Sequence, residues 1–317
     1  MFRRIPFVTI RPIGIGAIIT VGLTLSSQGA MACSICRCGD PVFNALGVAG
    51  YTTSGYRAAL DWERFDKDEG DPADEVESQV ENRLTAFLSY SFGERFMVSA
   101  RVPYSARDLT ETAAGAGSES IQTDGLSDPE ICAQAMLWSS AMSNLERRSF
   151  VALSGGVKTP WGENGVTSNG ERIDEHAQPG TGSTDVFGNL SLLYLVNPLS
   201  SVFASAGYRH TGTNDYGYRY GSTFLANVSY EHKIGSYADG VLELNFRHAD
   251  KDRIDSDGLR GDNTGGSLLY VTPKVLFNLT QGVVFRAGAQ IPTFADLNGV
   301  QDERAVINIG VTYLFLH

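Results

Sequence analysis

Three cysteines lie close together near the start of the chain, and they are the residues with the most evident capacity for chemistry. Cys33, Cys36 and Cys38 fall within six residues, whereas the rest of the sequence holds one further cysteine, Cys132. Thiolates at this spacing can wrap a soft metal ion such as Cu(I) or contribute to a zinc site. The pattern does not fit a c-type haem, which needs Cys-x-x-Cys-His, because residue 37 is Arg.

Two other uses of the same thiols stay open. An oxidising compartment favours disulfides, either within the cluster or between one of its members and Cys132. If an export signal is removed after residue 32, Cys33 becomes the first residue and could carry a lipid anchor. The residue types therefore predict a metal site, a disulfide or lipidation, and they do not choose among the three.

The first residues have the composition of an export signal. Arg3, Arg4 and Arg11 form a positive region, an apolar stretch runs from 13 to 25, and Ala30–Ala32 supplies small residues for cleavage. We therefore expect a signal peptide followed by a mature exported chain.

Three regions are predicted on this basis: a signal peptide at 1–32, a Cys-rich segment at 33–56 in the periplasmic mouth, and a barrel at 57–317. Removal of the signal would leave 317 − 32 = 285 residues. The signal holds three Arg and no acid, so the formal net charge would become −11 − 3 = −14. Such acidity argues against a nucleic-acid partner.

Apolar and polar residues alternate with a period of two along most of the remaining chain. Near the C-terminus Ile307, Ile309 and Val311 share one parity, with Asn308 and Gly310 between them. Since successive side chains of a strand point to opposite faces, such a segment has one apolar and one polar face. Twelve strands are predicted, at about 57–65, 80–92, 95–104, 130–140, 148–158, 185–196, 201–210, 220–233, 240–249, 267–277, 283–293 and 305–315.

The connectors between these runs alternate between long and short. Short ones include 197–200 and 278–282, and long ones include 105–129 and 159–184. Outer-membrane barrels have short periplasmic turns and longer external loops, an order that a soluble β-sandwich, the main alternative, does not explain. The sequence predicts an all-β protein, a transmembrane antiparallel up-and-down β-barrel of about twelve strands in the bacterial outer membrane, with both termini on the periplasmic side.

If the apolar parity faces lipid, the opposite parity lines the lumen. Both charge signs are interleaved there, so neighbouring charges can pair across strands. Two interpretations are open: a salt-bridged interior with a structural role alone, or a pathway for a small solute. The predicted lumen-lining residues are Glu81, Arg83, Arg101, Asp185, Arg209, Glu231, Glu243, Arg247 and Arg286.

Histidines and acidic loops give little sign of catalysis. None of the five histidines has a Ser and a carboxylate at a spacing that suggests a triad, so no catalytic residue is predicted. The acidic stretch 250–262 lacks the Glu that completes a calcium loop, and the stretch 66–77 is acidic in the same way. We expect them to be solvated external loops, with weak divalent-ion binding as the alternative.

Several short motifs are similar to those of a known family. They are Gly180–Asp185, Asn263–Tyr270 with Pro273, Gln290–Pro292 and Leu297–Gln301. With them, the region from about residue 100 to the end resembles the outer-membrane transporter family associated with meta-pathway phenol degradation. The resemblance implies a porin-like barrel and suggests uptake of small, often apolar molecules, without fixing a substrate.

These observations predict an outer-membrane channel or transporter for small solutes, hydrophobic compounds among them, and not an enzyme. The alternative is a metal-handling or electron-transfer accessory barrel that acts through Cys33, Cys36 and Cys38. Expected partners are outer-membrane lipid, a small-molecule solute and a periplasmic protein at the N-terminal segment. The cofactor is unknown; a soft metal ion at the three cysteines is the one candidate.

Overall fold

The computed structural model describes residues 55–69, 75–93, 95–113, 118–140, 149–254, 259–260, 264–280 and 282–316. Within these ranges the chain forms one closed antiparallel sheet of twelve strands. The strands are β1 Gly55–Glu69, β2 Glu75–Phe92, β3 Phe96–Ala113, β4 Glu130–Ser139, β5 Ser149–Lys158, β6 Asp185–Asn197, β7 Ser200–His210, β8 Thr223–Lys233, β9 Ala238–Ala249, β10 Gly266–Thr280, β11 Val283–Leu297 and β12 Val306–Leu316.

The sheet closes on itself at β1, which pairs with β12 on one side and with β2 on the other. Gly55 pairs with Leu316 and with Ser91, so the first strand begins where the last one ends. From β2 to β12 each strand pairs with its neighbours in sequence. A closed ladder of this kind pairs the main-chain groups all round the wall, which is what a bilayer demands of strands.

The two faces of the wall have opposite polarity. On β9, Leu242 and Leu244 are 53% and 48% exposed, whereas Glu243 and Asn245, which alternate with them, are fully buried. This is the inverse of a soluble barrel, in which the exposed side chains would be polar. The outward apolar face and the inward polar face identify the wall as membrane-spanning.

Aromatic side chains gather at the end of the barrel with the short turns, which we call the short-turn end. The ring centroids of Tyr56 and Tyr90 are 4.5 Å apart, and those of Tyr90 and Phe92 are 4.6 Å apart. Tyr313 and Phe315 of β12 lie 4.1 Å apart at the same end. Such rings form the interfacial girdle of a transmembrane barrel, because they suit the boundary between hydrocarbon and water.

The twelve predicted strands are confirmed, but two predicted loops are wrong. Most of 66–79 belongs to β1 and β2, and 105–129 contains the end of β3 and a further strand, Ser118–Leu126, which we call the rim strand. β2 and β3 have 18 residues each, well above the roughly 9–11 that a tilted strand needs to cross a bilayer. The sheet therefore continues above the membrane, where water replaces lipid on its outer face and no outward apolar parity marks a strand.

Shorter elements occupy the opposite, long-loop end. They are the hairpin Thr167–Ser168 and Glu171–Arg172, the 3-10 helix Glu175–Ala177, a small sheet of Tyr218–Arg219, Arg253–Ile254 and Leu259–Arg260, and the strand Gln301–Glu303, which pairs with β1. No helix among the described residues is long and apolar enough to cross a membrane. The predicted signal at 1–32 and nearly all of 33–56 lie outside the described residues.

A charge placed on the lipid-facing wall tests this orientation. We expect Leu190→Arg, at a half-exposed site near the middle of β6, to lower the free energy of unfolding by roughly 2–4 kcal/mol. Leu199→Arg, in the turn between β6 and β7, is the matched control and should cost less than about 1 kcal/mol. Urea unfolding of protein refolded in phosphatidylcholine vesicles measures both, and equal losses would contradict a lipid-facing Leu190.

Candidate functional site in the lumen and its mouth

The inward face of the wall carries the charged side chains that the alternation predicts there. Glu81, Arg83, Arg101, Asp185, Arg209, Glu243, Arg247 and Arg286 are buried, and Glu231 is half-buried. Burying ions costs free energy unless each is paired and hydrogen-bonded. The lumen is therefore best described by its ion pairs.

A continuous chain of ion pairs joins β3 to β7 near the long-loop end. Arg101 Nη1 lies 3.5 Å from Glu130 Oε2, and Arg209 Nη2 lies 2.6 Å from Glu130 Oε1. Arg209 Nη1 lies 3.6 Å from Asp185 Oδ2, which is 3.0 Å from Lys158 Nζ. Five neighbouring strands are thus cross-linked by charge on their inner face.

Asp128 connects this chain to residues 159–184, which we call the mouth loop. Lys158 Nζ lies 3.1 Å from Asp128 Oδ2. Thr181 N donates to the same oxygen at 2.8 Å, and Gly162 N donates to Oδ1 at 2.9 Å. Asp128 lies between the rim strand and β4; burial raises its pKa, but Lys158 and these hydrogen bonds outweigh burial and hold the pKa below its usual value. A charged Asp128 thus ties both ends of the mouth loop to the wall.

The middle of the mouth loop, residues 174–181, lies in the barrel mouth, and we call it the plug segment. Arg107 Nη1 donates to the carbonyl of His176 at 2.8 Å and also to that of Gln178. Gln79 Nε2 donates to the His176 carbonyl at 3.1 Å. Side chains of β2 and β3 therefore hold the main chain of the plug segment.

Arg107 is itself positioned by Glu81. Its Nε lies 3.4 Å from Glu81 Oε2, while Arg83 Nη2 lies 2.8 Å from Glu81 Oε1. Ser105 Oγ also donates to Glu81 at 2.8 Å. Because Glu81 has these other partners, removal of Arg107 would not leave the carboxylate without a counter-charge.

The opposite side of the plug segment is held by the connector between β7 and β8. Asn214 Nδ2 donates to the carbonyl of Thr181 at 3.1 Å and to Glu175 Oε2 at 3.3 Å. Tyr220 Oη donates to the main-chain carbonyl of Glu175 at 2.9 Å. The plug segment is therefore anchored across the mouth from two sides.

Apolar contacts accompany these hydrogen bonds. Leu109 of β3 packs in a buried cluster with Ile173 and Ala177. Thr123 of the rim strand donates its hydroxyl to the Ala177 carbonyl at 2.6 Å. The part of β3 that extends above the membrane therefore serves as a wall against which the plug segment packs.

The motif Gly180–Asp185 closes the mouth loop and leads into β6. Gly182 has a φ of +65°, and a Cβ there would overlap the side chain of Asn164. A Cβ at Gly180 would lie 2.8 Å from Gly162. The glycines are needed because the two ends of the loop pass close together, so the motif marks the anchor of the plug segment, which sequence reasoning missed.

A cavity of about 10 Å³, room for roughly one water molecule, is lined among others by Arg83, Arg101, Lys158 and Thr181. The plug segment and its anchors lie across the mouth beside this cavity.

Two further ion pairs cross-link the strands that complete the wall. Lys274 Nζ of β10 lies 2.9 Å from Glu243 Oε2 of β9. Arg286 of β11 pairs with Asp61 of β1, across β12. The inner face of the wall is therefore polar, but the charges of these four side chains neutralise one another in pairs.

Apolar side chains also face inward towards the short-turn end, and sequence reasoning missed them because that parity is mainly polar. One cluster contains Phe150, Ala152, Leu193 and Phe203. A second contains Val241, Leu276 and Val284, with Phe87 packed against it. An apolar solute would find hydrocarbon contacts there as well as paired charges.

The prediction that the acidic stretch 250–262 is a solvated loop is wrong at Asp252. Asp252 is buried and accepts hydrogen bonds from Gly221 N and Tyr218 Oη, both at 2.7 Å. Tyr218 Oη also lies 3.1 Å from His176 Nε2. Asp252 thus supports the side of the mouth that contacts the plug segment.

Cys33, Cys36 and Cys38 lie outside the described residues. Cys132 is half-buried on β4 and forms no disulfide with any described residue. Over the described part of the chain, no group of three or more His, Cys, Asp or Glu side chains is placed to hold a metal ion. The comparisons below give the metal-handling alternative no support.

A closed wall that is apolar outside and charge-paired inside, with a loop held across its mouth, defines a transmembrane β-barrel of the outer-membrane type. A family model described as "Putative MetA-pathway of phenol degradation" matches residues 63–296, most of the chain. The chain belongs to this family. The resemblance inferred from the motifs is confirmed, and the match begins well before the first of them.

Several solved structures are similar to this chain. The COG4313 outer membrane channel from Pseudomonas putida F1 is 11% identical and aligns over 87% of this chain and 100% of that chain, with a TM-score of 0.64. The translocator domain of the autotransporter NalP from Neisseria meningitidis is 9% identical over 86% and 92% of the two chains, TM-score 0.46. The CymD monoaromatic hydrocarbon channel is 9% identical over 95% and 100%, TM-score 0.44.

The first of these matches shows a shared fold, and the other two, with TM-scores below 0.5, add nothing to that conclusion. No curated protein sequence matches this chain.

Arg107→Met tests how the plug segment is held. The variant loses two charge-assisted hydrogen bonds to main-chain carbonyls, so amides 175–181 should exchange with deuterium roughly tenfold faster or more. Arg304→Met, which breaks only exposed pairs with Asp66 and Asp68, should leave that exchange unchanged. Hydrogen–deuterium exchange mass spectrometry gives the comparison, and equal rates in Arg107→Met and wild type would contradict the anchoring role.

Proposed function

We propose that the protein is an outer-membrane channel for small hydrophobic solutes, closed in the present conformation by its plug segment. The observation that carries the proposal is the plug segment itself, held across the mouth by Arg107, Asn214 and Tyr220. A barrel with a structural role alone has no need of a loop fixed inside its mouth. A channel that must stay shut to most solutes does.

The comparisons support the same proposal. The Pseudomonas putida protein that shares the fold is an outer membrane channel, and the description of the family refers to phenol degradation. Phenol-like compounds are small and largely apolar, which agrees with the inward apolar clusters around Phe203 and Val241. Channels carry out no covalent chemistry, in keeping with the absence of any predicted catalytic residue.

The lumen wall suits such a solute because its charges are paired. Lys158, for example, lies within 3.1 Å of Asp128 and Asp185 on either side. The electric field of a paired ion is weaker than that of a single ion. A neutral molecule can therefore pass along the wall without separating the paired charges from one another. We propose that the predicted lumen residues line this pathway and that its partners are the solute and the surrounding lipid.

Opening would release the middle of the mouth loop from the wall, while the two ends of the loop would stay attached to the wall. Asp128 holds Gly162 and Thr181 at the two ends by main-chain hydrogen bonds. Residues 174–180 of the plug segment lie between these two points and are held mainly through carbonyl oxygens, which water can satisfy once the loop swings out. The mouth loop is therefore built to move as a flap on fixed hinges.

The proposal also sets the orientation. Residues 1–32 would direct export, the short-turn end would face the periplasm, and the mouth loop would face outward, as in other outer-membrane barrels. The N-terminal segment with Cys33, Cys36 and Cys38 would then lie on the periplasmic side, where a periplasmic protein could reach it.

Solute influx tests the proposal. Bacterial cells that produce the protein should take up radiolabelled toluene several-fold faster than cells with an empty vector, because the outer leaflet resists apolar molecules. Arg107→Met should raise the rate further by loosening the plug segment. Influx of a labelled trisaccharide, which is large and polar, should stay at the vector level.

Equal toluene influx in producing and non-producing cells, with folded barrel verified by heat-modifiable gel mobility, would contradict the channel. Trisaccharide influx that rises in step with toluene would show a general pore instead.

A further inference from the structure

Gln290 is a fully buried side chain on the inward face of β11. Its neighbour Ile291 is 44% exposed on the lipid side, so the amide of Gln290 points to the lumen. Neither Oε1 nor Nε2 of Gln290 has a hydrogen-bond partner in the structure. A buried amide left in this way is costly, and it persists where a ligand or water completes it.

The side chains around Gln290 have committed their hydrogen bonds elsewhere. Thr272 donates to Asn245 Oδ1 at 2.6 Å, and Lys274 donates to Glu243 at 2.9 Å. Both lie on β10, the strand that pairs with β11. The side chains that face the amide of Gln290 from β10 therefore donate their hydrogen bonds to other residues.

A second amide lies next to Gln290. Asn308 of β12 is 9% exposed, and its Nδ2 has no partner either. Gln290 pairs with Val306 and Gly288 pairs with Asn308. The two amides are thus diagonal neighbours on one face, with Cβ atoms roughly 7–8 Å apart or less. One small molecule could contact both.

Apolar surface borders the two amides. Val306, directly opposite Gln290, packs against Phe65 of β1, and both side chains are at most 4% exposed. A molecule at this place would meet an aromatic ring and a branched aliphatic chain on one side and neutral amides on the other. The neighbouring cations Lys274 and Arg286 are paired with carboxylates. Glu63 of β1, directly opposite Asn308, is buried and has interaction partners of its own, so the place is chemically suited to a neutral group.

We propose that Gln290 and Asn308 form a binding subsite in the lumen for the hydroxyl group of a small, otherwise apolar solute. Gln290 Oε1 accepts the hydroxyl proton, and Gln290 Nε2 or Asn308 Nδ2 donates to the hydroxyl oxygen. Phe65 and Val306 contact the hydrocarbon part. The inference rests on the proposed channel function and adds to it the place in the lumen where the hydroxyl of such a solute is held.

The test compares two probes that differ only by hydroxyl and methyl, 4-fluorophenol and 4-fluorotoluene. The full chain is refolded in nanodiscs and titrated, with side-chain amide NMR signals of Gln290 and Asn308 as reporters and the free probe measured by fluorine NMR. Wild type should bind 4-fluorophenol about tenfold more tightly than 4-fluorotoluene, which is the effect of one good hydrogen bond.

Gln290→Met keeps the length of the side chain and removes the amide. With Asn308 as the reporter, this variant should bind 4-fluorophenol about tenfold more weakly and 4-fluorotoluene unchanged. Gln134→Met, the same substitution at a half-buried inward site on β4, is the control and should retain the wild-type preference. Asn308→Leu is a second variant and should lose part of the preference.

Equal affinity of wild type for both probes, or a preference kept in Gln290→Met, would overturn the subsite and indicate that the amide holds only water. Saturable binding of 4-fluorotoluene would then still support a hydrophobic channel. Failure of both probes to shift either signal would overturn the subsite and the channel proposal together.

Discussion

The fold depends on one constraint: inside a bilayer every main-chain N–H and C=O of a strand must find its partner within the protein. The chain satisfies it by pairing β1 with both β12 and β2. Closure with twelve strands gives a narrow lumen. Side chains from strands that are not neighbours therefore meet inside it, as Arg286 of β11 meets Asp61 of β1. Lipid on the outside then requires the apolar parity to face outward, which leaves the charges within.

The buried charges consequently carry two tasks. They neutralise one another around the wall, as in the chain from Arg101 to Lys158. They also fix the mouth loop, because Asp128 binds its two ends and Arg107 binds the carbonyls of its middle. Breaking one partner of such a pair is more damaging than replacing both, since the remaining ion stays buried. The buried charges therefore stabilise both the wall and the position of the mouth loop.

Much of the wall could be predicted from sequence, because successive side chains of a strand alternate between its two faces and lipid requires the outward ones to be apolar. The twelve strands of the wall show this alternation. The rule fails where water replaces lipid: β2 and β3 continue past the membrane with polar residues on both faces. The plug segment had no signal of its own, because its contacts run through main-chain carbonyls that any residue supplies. The glycines of Gly180–Asp185 were the one visible trace, and only the nearby Gly162 and Asn164 explain them.

The central claim is that the plug segment closes a lumen that can open. Single-channel current in planar bilayers reports this most directly, because small ions cross only an open lumen. Wild type should be mostly closed with brief openings, and a variant with both Arg107→Met and Asn214→Ala should stay open for longer at the same unit conductance. Identical open times in the two proteins, both folded by gel mobility, would contradict the account.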